Sequence, residues 1–118
     1  MNLVVTALSS APPASLPAEM VERKGIGHPD TVCDALAEEF SCALSRYYVE
    51  NFGLILHHNV DKGLLWGGAA HPVFGGGEVL EPIEVYLVGR ATREVEGVKV
   101  PVEELAAHAA REWLRGNL

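Results

Sequence analysis

Directly after His28-Pro29, the residues Val32, Leu36, Phe40, Ala43, Leu44 and Tyr47 recur at the spacing of one helix face. A stripe of that kind must be buried against another layer, so it restricts the fold more than any other feature of the chain. The spacing predicts a helix from about Pro29 to Glu50, closed by Gly53. Proline suits a first helical position because its missing N–H has no intrahelical partner to lose. Asp30 then stands in the first turn, where a carboxylate meets the positive end of the helix dipole. A second helix is predicted from Pro101, with Val102, Leu105, Ala106, Ala109 and Trp113 on its buried face and Gly116 as its cap.

The strands lie between and before these helices. Leu3 to Ala7 reads as a short first strand, and the proline-punctuated run Ala11 to Pro17 as an extended linker. Leu54 to Val60 and Gly63 to Trp66 read as two further strands. A loop is expected from His71 to Gly77, where Pro72 and the run Gly75-Gly76-Gly77 interrupt any pattern. Ile83 onward alternates well enough for a strand that continues toward Glu94, and Val98 to Val100 forms another after a turn at Gly97. Strands in neighbouring pairs, rather than alternating with helices, imply an α+β fold: one domain, a mostly antiparallel sheet, and two helices packed on one face.

Composition supports a folded core. The chain has 118 residues, 48% hydrophobic and 21% charged, which is unlike a disordered segment. No apolar run reaches the roughly 18 residues of a membrane span, and the start lacks a basic region followed by a long apolar stretch. A formal charge of -7 argues against general nucleic-acid binding, and means that a polyanionic ligand needs metal ions or a few well-placed basic groups. Cys33 and Cys42 fall in one predicted helix, roughly 13 Å apart along its axis, too far for a disulfide. They are expected to be buried thiols in a reducing compartment. Trp66 and Trp113 are expected to be packing residues.

Gly25-Ile26-Gly27-His28-Pro29-Asp30 combines several useful features. Its glycines allow a ligand close to the backbone, and the helix start behind them offers free N–H groups to an anion. His28 can donate to a phosphate oxygen. Asp30 can hold a hard cation such as Mg²⁺, which takes one or two carboxylates plus phosphate and water. Arg23 and Lys24 supply local positive charge. The plain alternative is a glycine turn, a proline-started helix and a solvated histidine. The segment is neither a Walker loop nor a dinucleotide fingerprint.

VERKGIGHPDTVCDALAEE, LILHHNVDKGLLWGGAAHPVFGGGEV and PIEVYLVGRAT resemble, in order, three blocks of the archaeal-type S-adenosylmethionine synthetases (methionine adenosyltransferases). The resemblance implies a cytoplasmic transferase that joins ATP to methionine. The sulfur attacks C5′ of the ribose, the triphosphate leaves, and it is then split into pyrophosphate and phosphate. It also implies that His28 stabilises the departing triphosphate and that Asp30 holds Mg²⁺. K⁺ belongs to the same expectation. The motif's own chemistry adds Gly27 and Lys24 as phosphate contacts, and the strand face of Asp61 makes it a second candidate metal ligand. Members of this family are several times longer, with three similar domains and a site between two subunits. The chain is therefore expected to act with further polypeptide, as a homo-oligomer or with a complementing chain, to expose apolar surface, and to be inactive alone.

The remaining polar residues carry weaker readings. His57, Asn59 and Asp61 fall on one strand face, which suits a cation, a substrate or simply water. His57 and His58 are neighbours and point to opposite faces, and no histidine or cysteine spacing matches a structural zinc site. The roles of Glu22, Asp34, Glu78 and Arg90 stay open between surface charge and support of a site. Two functional classes follow: part of a methionine adenosyltransferase, or a non-catalytic remnant of that family that binds nucleotide phosphates or a protein. An unrelated phosphohydrolase would need a denser carboxylate cluster than Asp30, Asp34 and Asp61.

Overall fold

The stripe that starts at Val32 is the spine of the fold in the computed structural model, which describes residues 2–118. Helix α1 runs Pro29–Phe52 and buries Val32, Leu36, Phe40, Leu44 and Tyr48. Tyr48, rather than the expected Tyr47, continues the face, because the buried positions advance strictly four at a time. Its ring is fully covered, and its hydroxyl donates to the Thr92 carbonyl at 2.8 Å. Gly53 ends the helix in the left-handed region, φ 77°, with its N–H returned to the Val49 carbonyl.

Strand β1, His58–Trp66, pairs antiparallel with β4, Glu84–Ala91, in a register that sets His58 opposite Ala91 and Trp66 opposite Glu84. The two strands expected around residues 54–66 are thus one, preceded by an irregular stretch. Gly63, expected to begin the second strand, lies inside β1 for a packing reason. A Cβ there would stand 2.9 Å from the Cβ of Cys33, so the missing side chain lets α1 close onto β1. A bulge between Val60 and Lys62 leaves Asp61 as the unpaired residue.

The loop expected at His71–Gly77 is instead a hairpin. Strand β2, Ala69–Val73, pairs with β3, Gly76–Glu81, through a tight turn at Phe74-Gly75. Gly75 supplies the positive φ of that turn, 81°, and the other glycines extend the ladder. A smaller hairpin joins β5, Glu94–Val95, to β6, Val98–Lys99, across Glu96 and Gly97, both at positive φ. The fold is α+β with antiparallel strand pairs as expected, though the strands form separate two-stranded ladders and not one sheet.

Helix α2 spans Val102–Asn117 with Pro101 as its N-cap residue. Gly116 lies inside it and Leu118 caps it, so the expected glycine cap is not used. Phe40, Leu44, Tyr48, Val100 and Val102 form the core, edged by Val60, Leu87, Ala91, Leu105 and Ala106. Helix α1 packs on the β1–β4 ladder, and α2 packs chiefly against α1 with Val102 reaching the shared core. Fully burying a leucine such as Leu36 or Leu44 contributes about 1.5–3 kcal/mol.

Three packing expectations fail. The strand at Leu3–Ala7 does not form: the segment before Pro29 is exposed and largely irregular, with one 3-10 turn at Pro13–Ser15 and a further turn leading into α1. Cys42 is exposed because it sits off the face that meets the ladder, and Cys33 is half-buried against Gly63 of β1; both are free thiols. Trp66 is 47% exposed because it points from the ladder face opposite α1. The result is an open molecule. Its radius of gyration is 20.8 Å, against about 13–14 Å for a compact chain of this length. Leu3, Val4, Val5, Met20, Val21 and Phe74 stand in solvent, as the expected apolar surface. No helix of the described residues is long and apolar enough to cross a membrane.

Candidate ligand site at the start of the long helix

The turn before α1 is closed by the His28 N–H, which donates to the Gly25 carbonyl at 3.1 Å. His28 is the N-cap residue, with extended backbone, and its carbonyl accepts the first helical bond from the Val32 N–H. Its side chain caps too: the Asp30 N–H donates to Nδ1 at 3.1 Å. An amide can only donate, so Nδ1 carries no proton in this arrangement. The neutral ring is thereby fixed with its proton on Nε2. A histidine held this way is a hydrogen-bond donor at the mouth of a helix dipole, where an anion is favoured.

Lys24 reaches across the turn and ion-pairs with the Asp30 carboxylate. The pair is well exposed, with side-chain exposures of 58% and 61%. Its hydrogen bond and charge hold the Asp30 carboxyl below the usual carboxylate range and raise the Lys24 ammonium above its ordinary value. Gly25 and Gly27 are exposed, and neither has positive φ. A Cβ on Gly25 would meet nothing, and one on Gly27 would touch only Leu118, at an ordinary 3.5 Å. The turn itself does not demand glycine at either place, so their bareness leaves room for a ligand rather than relieving strain.

His28, Lys24, Gly27 and Asp30 are thus gathered in one exposed turn, as the motif predicts. Asp61 is not part of it. With His57, Asn59 and Arg90 it lines a groove at the end of the β1–β4 ladder, and its place in the bulge also gives it an edge on a second groove, beside Asp34 and Glu38 of α1. Among the described residues no three His, Cys, Asp or Glu side chains gather as a metal cage. An Mg²⁺ held by Asp30 would have to complete its shell with water and phosphate oxygens, which is its ordinary habit. The donor set fits that use and no closed site. Glu78 lies on β3 opposite His71, in the exposed hairpin, and Glu22 is exposed in the segment before α1.

One polar cluster escaped the sequence reading. His58 packs against Tyr48 with the rings tilted and their centres 5.7 Å apart, and its Nδ1 lies 2.9 Å from the Leu56 carbonyl, which can only accept. Nδ1 therefore bears the proton, and Nε2 accepts from Ser41 Oγ at 3.0 Å, with Ser45 Oγ at 3.5 Å. Ser41 and Ser45, one turn apart on α1, were the available signal. The cluster is a structural tie between helix and strand, extended by Thr92, whose N–H and hydroxyl both donate to the His57 carbonyl.

Comparison with known proteins brings one family forward. The family model for S-adenosylmethionine synthetase (AdoMet synthetase) matches residues 1–118. A "Probable S-adenosylmethionine synthase" of Aquifex aeolicus is 64% identical over 117 residues, covering 99% of this chain and 29% of that protein. The S-adenosylmethionine synthase of Caldivirga maquilingensis is 51% identical over 120 residues, covering 98% of this chain and 29% of the relative. That of Methanococcus aeolicus is 49% identical over 123 residues, with 99% and 30% covered. The chain therefore spans less than a third of the length of the relatives it matches.

Proposed function

Because the chain belongs to the S-adenosylmethionine synthetase family, we propose that it forms part of a methionine adenosyltransferase, to which its first helix contributes the triphosphate contacts. The observation that carries this reading is the convergence of His28, Lys24 and Asp30 in one exposed turn at the start of α1. Displacement of a triphosphate from C5′ builds charge on the leaving oxygen, and stabilising it requires donors already aimed at that charge. His28 is suited to this, since its cap bond spends Nδ1 and leaves the Nε2 proton to donate.

Lys24 and the bare backbone at Gly25–Gly27 would meet the phosphates, aided by about 0.3–1 kcal/mol from the helix terminus. Asp30 would hold Mg²⁺ together with phosphate oxygens. A bound Mg²⁺ supplies charge neutralisation that makes triphosphate a better leaving group. Asp61, in its own groove, is a candidate for a different contact, and K⁺ has no donor group assigned to it here. The open surface supports work in an assembly, as a homo-oligomer or beside further polypeptide.

Calorimetry with ATP and Mg²⁺, followed by an assay for S-adenosylmethionine, tests this reading. Binding of Mg–ATP that weakens in His28→Asn supports it, with product expected only from the assembled protein. Binding without product in the assembly points to the non-catalytic remnant. Absence of Mg–ATP binding in the assembly refutes the transferase reading and the nucleotide-binding form of the remnant.

A further inference from the structure

Lys24 has two calls on one ammonium group. Its position before α1 suits it to a phosphate, yet it ion-pairs with Asp30, the carboxylate proposed to receive a cation. A divalent cation on Asp30 would repel the ammonium from the carboxylate, so the two cations compete for it. We propose that Lys24 is the resident counter-cation of Asp30, giving up the carboxylate when a divalent cation binds, so that its ammonium is freed for the anionic ligand. The inference rests on the function proposed above and adds an order of events to it.

Several features favour an exchange over a permanent bridge. The pair is exposed at both ends, so no desolvation penalty blocks its separation or its replacement. Lys24 lies in the segment before α1, outside any helix or strand, so moving it breaks no ladder. Among the described residues Lys24 has Asp30 as its salt-bridge partner, with Asp34 adding attraction from one turn further on. A lone exposed carboxylate beside a net acidic surface would draw cations indiscriminately. A tethered lysine offsets that charge until a doubly charged ion with phosphate oxygens outcompetes it.

The exchange predicts effects of opposite sign from one substitution. Lys24→Met removes the competitor, so Mn²⁺ alone, read by its paramagnetic broadening of the Asp30 amide, should bind roughly two- to fivefold tighter, the range expected of one exposed ion pair. Inorganic tripolyphosphate with Mg²⁺ present should bind more weakly to the same variant. Lys24→Arg keeps the pair and should resemble the wild type in Mn²⁺ affinity. If Lys24→Met leaves Mn²⁺ affinity unchanged or lowers it while tripolyphosphate binding falls, Lys24 is a phosphate contact only. The exchange is then wrong and the proposed function stands. If Asp30→Asn leaves the Mn²⁺ broadening unaltered, Asp30 holds no cation, and that part of the proposed function falls together with the exchange.

Discussion

The Asp30 N–H donates to Nδ1 of His28 at 3.1 Å, so one bond both caps α1 and decides which ring nitrogen of His28 keeps the proton. Structure and proposed chemistry meet in that bond. A histidine oriented by its own helix needs no neighbouring carboxylate to choose its tautomer.

The first prediction separates those two roles. His28→Asn retains a good N-cap side chain and should keep stability close to that of the wild type, whereas His28→Ala should lose about 1 kcal/mol. Both should weaken triphosphate binding. ¹⁵N NMR of the neutral wild-type ring should show the Nε2–H tautomer. An Nδ1–H ring would mean that the cap bond does not form in solution.

Gly25→Ala and Gly27→Ala should leave thermal stability nearly unchanged, since both sites accept a Cβ without strain. A fall in tripolyphosphate affinity at unchanged stability would show that the ligand approaches the bare backbone. Unfolding of either variant would show that the turn differs from the one described.

Tyr48→Phe should cost about 1 kcal/mol, because it strands the Thr92 carbonyl that the hydroxyl now serves. Leu36→Ala should cost about 2–5 kcal/mol through the cavity it leaves in a fully buried site. Denaturant melts comparing the two variants with wild type check both values.

Arg93 pairs with Glu103 and thereby ties the start of β5 to the first turn of α2. Arg93 holds the Glu103 carboxyl below its ordinary value of 4.5. A carboxyl lowered by folding contributes stability that is present above its unfolded value and is lost as pH falls through the folded one. Wild type should therefore lose more stability than Arg93→Met when pH is taken from about 6 to below 4. Equal losses would show that the pair is absent in solution.

The helices were legible because a buried face writes itself into the spacing: Val32, Leu36, Phe40 and Leu44 admit no other period. The grouping of Lys24, Gly27, His28 and Asp30 was legible as well, since they are close in sequence and a single turn brings them together. Misreadings gathered where glycine had an unseen purpose. Gly63 makes room for Cys33 inside β1 and does not begin a separate strand, and Gly76-Gly77 belong to β3. No local pattern shows such contacts across the fold. The capping bond of His28 and the Lys24–Asp30 pair also needed coordinates, because side-chain direction, not residue type, creates them.

The exposed Leu3–Val5 stretch, Met20, Val21 and Phe74 should drive association. Sedimentation should find dimers or larger species at high concentration, reduced by Phe74→Ser. A clean monomer at all concentrations would refute this.

The cation dependence of anion binding tests the central claim, that His28 and Asp30 form one site for a phosphate–Mg²⁺ ligand. Calorimetry of tripolyphosphate, with and without Mg²⁺, should show binding to wild type that depends on Mg²⁺. Asp30→Asn should bind with little dependence on it, and His28→Ala should bind more weakly under both conditions. If Asp30→Asn retains the full Mg²⁺ dependence of the wild type, the cation is held elsewhere and the account of this site is wrong.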